Sequence, residues 1–194
     1  WTEGRDWLER CLDRDDGAAP AAQSARALCA AGAIAAFQDD HARATAHLDA
    51  SVALWRRVGD RLGLAHALLQ LGETLHRQGD VERAEALWEE ALTLYREPED
   101  TPSIAQIHNL LGFAAVDQMR FDRARALFER ALSLMRGSGN QSFEAQQLMN
   151  LGVVAGLTGD WRRAAALCEE ALAIYRATGG KVGVGYALLN LGDC

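Results

Sequence analysis

The sequence predicts an all-α fold of antiparallel helix pairs stacked in register, and three observations predict it. Gly32, Gly72, Gly112, Gly152 and Gly192 recur every 40 residues, four of them preceded by leucine. Such fixed self-similarity is the mark of a stacked repeat, in which each unit buries its apolar face only against its neighbours. Within each period two apolar stripes follow helical spacing, and nowhere does strand-like alternation compete with them.

Three further columns keep the same interval. Gly4, Ala44, Ala84, Ala124 and Ala164 are small, as are Cys11, Ser51, Ala91, Ala131 and Ala171. Leu8, Leu48, Trp88, Phe128 and Cys168 form a bulkier column. Two helices approach closely only where one lacks a side chain, so Gly72 is expected to lie opposite Ala84 and Ala91, with Trp88 filling the adjoining gap. Mid-helix glycine costs about 1 kcal/mol against alanine, which close packing can offset.

The elements follow in order. "WTEGRDWLERCL" aligns with "FDRARALFERAL", so residues 1–17 read as the second helix of a partial repeat. Full repeats are expected over 20–58, 60–98, 101–137 and 141–178, and a further first helix over 181–194, all in one array. In the second of these repeats, Leu64, Leu68, Leu71 and Leu75 make the first stripe. Gly79 then suits a left-handed helix end and Asp80 a cap for the next helix. Ala84, Leu87, Trp88, Ala91, Leu92 and Tyr95 make the second stripe. Gly59-Asp60, Thr101-Pro102 and Gly139-Asn140 open successive first helices. The third full repeat has Met119 where Gly79 and Gly159 stand, so its turn is expected to be less tightly capped.

At this point the residues resemble the tetratricopeptide repeat family. Leu68, Leu71, Gly72, Leu75, Ala84, Trp88 and Ala91 stand in that family's order and spacing, with six residues more than its usual period. Leu48 and Cys168 depart from its aromatic, and Arg56, Arg96, Arg136 and Arg176 from its proline. The resemblance implies a right-handed superhelical solenoid whose first helices line a concave groove that binds a protein or peptide segment. The units are also similar to helical arrays in bacterial signalling ATPases that activate transcription. That implies a piece of a larger bacterial regulatory protein, an expectation matched by a chain opening at Trp1 and closing mid-pattern at Cys194.

Carried over position by position, the groove candidates are His66, Gln70, Glu73, Arg77, Gln106, Asn109, Phe113, Gln146, Asn150, Tyr186 and Asn190. Arg26, His66, Gln106, Gln146 and Tyr186 share one column. Gln70, Asn150 and Asn190 share another, where a carboxamide can both donate to and accept from an extended backbone, or merely bond a neighbouring helix. The alternatives to a scaffold are a sensor module for a small effector and self-association through the array ends.

No catalytic or metal-binding residues are expected, and no cofactor. Lys181, in "GGKVGVG", is followed by valine, not the serine or threonine of a phosphate loop. The five histidines lack the spacing of a shared metal site. Cys11, Cys29, Cys168 and Cys194 stand far apart, as buried single thiols of a reducing compartment do. The net charge is −7 and basic residues form no run, so nucleic-acid binding by this chain is not expected. No apolar stretch reaches the roughly 18 residues of a membrane span, and the expected location is the cytoplasm. The paired charges of the second helices, such as Arg56, Glu90, Glu129 and Glu170, are expected to form a solvated outer face.

Overall fold

The computed structural model describes residues 21–96 and 100–192, with side chains to residue 190, and among these it is entirely helical. The partial repeat expected over 1–17, with Cys11, lies outside the described residues, as do Asp193 and Cys194. Four helices form one compact unit: α1 (Ala21–Phe37), α2 (His41–Val58), α3 (Arg61–Arg77) and α4 (Val81–Tyr95). Five form the other: α5 (Thr101–Asp117), α6 (Phe121–Met135), α7 (Gln141–Leu157), α8 (Trp161–Thr178) and α9 (Lys181–Gly192). In each unit every helix packs on the next, and the pairs α1–α3 and α7–α9 also touch.

The pairing follows from short turns at fixed register. Asp40, Asp80 and Asp160 cap the second helices through their carboxylates, and Asp60, Asp100 and Asn140 cap the first helices. The first helix of the third full repeat starts at Thr101, behind its Asp100 cap. Each hairpin turn closes with the same backbone bond, for instance from Asp80 N to the Leu75 carbonyl at 2.9 Å. That closure demands a left-handed residue, supplied by Gly79 (φ 84°) and Gly159 (φ 83°). Met119 adopts the same conformation at φ 58°, and Asp39 likewise. Behind Met119, α6 starts at Phe121, and its N-cap, Arg120, makes no side-chain capping bond, where the other second helices have an aspartate.

The repeat columns are the core. Ala44, Ala84, Ala124 and Ala164 are buried, as are Ser51, Ala91, Ala131 and Ala171. Ser51 keeps its place among alanines by donating its hydroxyl to the Ala25 carbonyl at 2.7 Å. The bulky column packs directly on the glycines: Leu48 on Gly32, Trp88 on Gly72, Phe128 on Gly112 and Cys168 on Gly152. Trp88 thus occupies the glycine's own position, not an adjoining gap. Its indole N–H donates to the Leu69 carbonyl at 3.2 Å.

The outer face is charged and partly paired. Arg56 reaches from α2 to Glu90 on α4 at 2.8 Å, and Arg163 from α8 to Glu129 on α6 at 3.2 Å. Exposed pairs of this kind contribute about 0–1 kcal/mol each. No helix among the described residues is long and apolar enough to cross a membrane.

Candidate functional site

Each unit carries a groove against a first helix, built from the same repeat positions. In the first unit a cleft of 710 Å³ lies between α1 and α3 and includes Trp55 from the end of α2. In the second, a cleft of 480 Å³ lies between α7 and α9 and includes Tyr175 from α8. Nine of the ten residues lining the first have their counterpart, 120 residues onward, lining the second. Three repeats separate the two, so the chain builds one kind of groove twice.

The floor explains why it recurs. The Trp55 ring lies on Gly63, where an added Cβ would come within 2.6 Å of it. Tyr175 lies on Gly183 in the same way. An aromatic eight residues before a glycine therefore sets a flat ring against bare backbone and leaves the space above it open. In an intervening repeat the pair is lost, with Met135 at the equivalent of Trp55 and Phe143 at that of Gly63.

The two grooves differ in what their walls offer. In the first, the Arg26 guanidinium stands over the Trp55 ring, 5.8 Å from its centre, and Arg26 has no carboxylate partner among the described residues. His66 meets the Cys29 thiol at 3.5 Å through its Nδ1. Burial pushes the Cys29 thiol up from its ordinary value, against a smaller opposing effect of its hydrogen bond with Ser51, so it stays protonated and poorly nucleophilic at neutral pH. Gln70 completes that wall, and Asp60, also in the lining, accepts from Gly63 N at 2.9 Å as the cap of α3.

Among the described residues, the second groove is lined by no ionised side chain. Asn150 donates through Nδ2 to Asn109 Oδ1 at 2.9 Å, and Asn190 through Nδ2 to the Tyr186 carbonyl at 3.0 Å. Burial raises the Tyr175 phenol, which remains neutral. Phe113 closes one side and meets Phe128 edge-on with centres 5.4 Å apart.

Of the residues expected in a groove, His66 and Gln70 line the first, and Phe113, Gln146, Asn150, Tyr186 and Asn190 the second. Asn109 is buried and serves as the acceptor for Asn150. Glu73 and Arg77 pair with each other at 3.6 Å outside the first cleft, and Gln106 is exposed outside both. Sequence reasoning missed Trp55, Gly63, Tyr175 and Gly183. The signal was present as an aromatic-to-glycine spacing of eight, visible only once second helices are paired with the first helix that follows.

The tetratricopeptide repeat profile matches residues 23–97 and 103–177, more than half of the sequence. The chain belongs to the tetratricopeptide repeat family. No curated protein matches the sequence. Among solved structures, BtubC from P. vanneervenii is similar at 22% identity, over 92% of this chain and 74% of that one, with a TM-score of 0.77. A Rap protein complexed with competence and sporulation factor shares 11% identity over 94% of this chain and 51% of its own, with a TM-score of 0.81. A signal transduction ATPase with numerous domains and a tetratricopeptide repeat sensor, from Pyrococcus horikoshii, gives 11% and 0.81 over 97% of this chain. This repeat array spans 31% of that ATPase's length. At such identities the likeness establishes the fold: tandem helical hairpins of the tetratricopeptide type.

Proposed function

We propose that this tetratricopeptide array is a non-enzymatic scaffold that binds a protein or peptide segment along its first helices, as part of a larger bacterial regulatory protein. The observation that carries the reading is the repetition of one groove at the same register in both units. A ring laid on glycine gives a flat apolar floor, and carboxamides along the wall can bond a peptide backbone whatever its sequence. The Rap structure in complex with competence and sporulation factor, and the ATPase described as carrying a repeat sensor, support a recognition role for arrays of this fold.

The test is direct. Peptides selected from an unbiased displayed library are titrated against the wild type and against Leu62→Asp and Tyr186→Ala, both exposed positions in the groove linings. At least one variant should weaken each selected peptide tenfold or more. Affinities untouched by both variants remove the grooves from the account.

A second reading, recognition of a small effector, draws on groove size: 710 Å³ and 480 Å³ both fall in the range of about 300–1,000 Å³ typical of small-molecule sites. Binding of single amino acids as tightly as of selected peptides would favour it. A third, self-association, draws on α9, where Leu188 and Leu189 are exposed. Sedimentation that is independent of concentration would exclude it for this chain.

A further inference from the structure

We infer that the first-unit groove reads an acidic side chain of the bound segment, with the Arg26 guanidinium as its counter-ion, while its counterpart in the second unit does not. The inference rests on the groove-binding reading above and adds the chemistry of one occupant.

Comparison of the two grooves carries it. They share register and a ring-on-glycine floor, and their polar groups differ: Arg26 for Gln146, Ala30 for Asn150, His66 for Tyr186, and Gln70 for Asn190. In the second groove, Asn150 and Asn190 each spend an amide donor on a neighbour. Among the described residues of the first, Arg26 makes only its cation–π contact with Trp55, 5.8 Å from the ring centre, the Gln70 amide has no partner, and His66 engages Cys29 through Nδ1 alone. Donors left over on three converging side chains call for a ligand rich in acceptors.

A carboxylate meets that demand best. A guanidinium held over an indole by a cation–π contact still offers its in-plane N–H groups, and these match a carboxylate two by two. Contact with the ring also restrains the head, so less rotamer freedom is lost when the ligand arrives. The one acidic residue of the lining, Asp60, is turned to the backbone of Gly63 and caps α3. Ala30, Ala33 and Leu62 leave the rest of the wall apolar. A glutamate fits such a wall, its methylenes against Leu62 and the Trp55 ring and its carboxylate at Arg26.

The experiment uses the full chain and three eight-residue peptides of alanine and leucine, each N-terminally acetylated. One carries a central glutamate and one a central glutamine, both with amidated ends; the third carries the glutamine and a free terminal carboxylate. Binding is followed by amide chemical shifts, with Gly63 reporting the first groove and Gly183 the second. At Gly63 the glutamate peptide should bind at least tenfold tighter than its glutamine twin. Arg26→Gln, an exposed change that installs the residue type of the second groove, should erase that preference while circular dichroism stays unchanged. At Gly183 the two amidated peptides should bind alike. Equal affinities at Gly63, a preference that survives Arg26→Gln, or tightest binding by the free-terminus peptide overturns the inference and leaves groove binding standing. If no peptide shifts either glycine, both fall.

Discussion

Trp88 and Cys168 hold the same column in different units, and the contrast between their surroundings shows how much latitude a repeat allows. In the first unit the indole is fully buried on Gly72 and donates to Leu69 O. In the second, the Cys168 thiol covers Gly152 with far less volume, and a 510 Å³ cleft opens beside it, lined by Gly156, Leu157 and Trp161 among others. The backbone pairing is nonetheless of one kind in both hairpins. Register is therefore carried by the glycine and alanine columns and the turns, while the plug sets how tightly a hairpin is filled.

Exchanging the plug is the most severe way to break this comparison. Trp88→Cys should cost about 3–5 kcal/mol through a lost core side chain and an unfilled cavity. Cys168→Ala should cost about 1 kcal/mol, since little volume goes. Because repeats touch only neighbours, hydrogen exchange is the suitable measurement: the first change should release α3 and α4, and the second barely move α7 and α8. Equal costs would show that the plug does not govern hairpin stability.

The glycines beneath the plugs should separate in the same direction. An alanine methyl at Gly72 would run into the Trp88 ring, which has nowhere to go. Gly72→Ala should therefore destabilise by about 1–3 kcal/mol in urea unfolding. At Gly152 the methyl would crowd the Cys168 Sγ, 2.8 Å away and beside the open cleft, and would reach the Ala164 carbonyl and Leu167 Cβ only at ordinary contact distances of 3.4 and 3.6 Å. There the gain in helix propensity, about 1 kcal/mol, should offset most of the clash, and Gly152→Ala should be close to neutral.

A third contrast lies at one register of the first helices, where Ala67 stands in the first unit and Gln147 in the second. Both are fully buried, and neither amide atom of Gln147 finds a hydrogen-bond partner. A buried carboxamide left unpaired costs about 1–3 kcal/mol. Gln147→Met keeps the volume and removes the polar atoms, so it should raise stability by about 1–2 kcal/mol. A loss of stability would mean that the amide is satisfied in solution by water or by a neighbour.

The smallest effect is expected at the hairpin turns. Met119 pays for the left-handed conformation that Gly79 takes freely in the first unit. Its side chain is exposed, so nothing is lost on removing it. Met119→Gly should stabilise by about 1 kcal/mol, the scale of the left-handed penalty for a residue with a Cβ. Gly79→Met should destabilise by a similar amount; thermal unfolding of the pair would show whether the penalty is symmetric.

Much of the site was legible beforehand, and the reason it was not all legible is specific. His66, Gln70, Gln146, Asn150, Tyr186 and Asn190 came from helical periodicity and family position, which fix the face of a first helix that each residue occupies. Asn109 and Asn150 lie on neighbouring first helices, one repeat apart, and no pattern within a helix predicts that one amide spends itself on the other. Arg26 lay in a predicted column, but its contact with Trp55, which belongs to a second helix, did not follow from that column.

By itself the sequence determined that the chain is helical, where each hairpin turns, and which columns are small enough for helices to nest. Those properties depend on local spacing and on the absence of side-chain volume, and both are written along the chain. Only the tertiary structure decided that Trp55 and Tyr175 lie on Gly63 and Gly183, and that one groove keeps its donors while the other spends them. Contacts between a second helix and the first helix that follows depend on how hairpins dock, a relation that no single helix encodes.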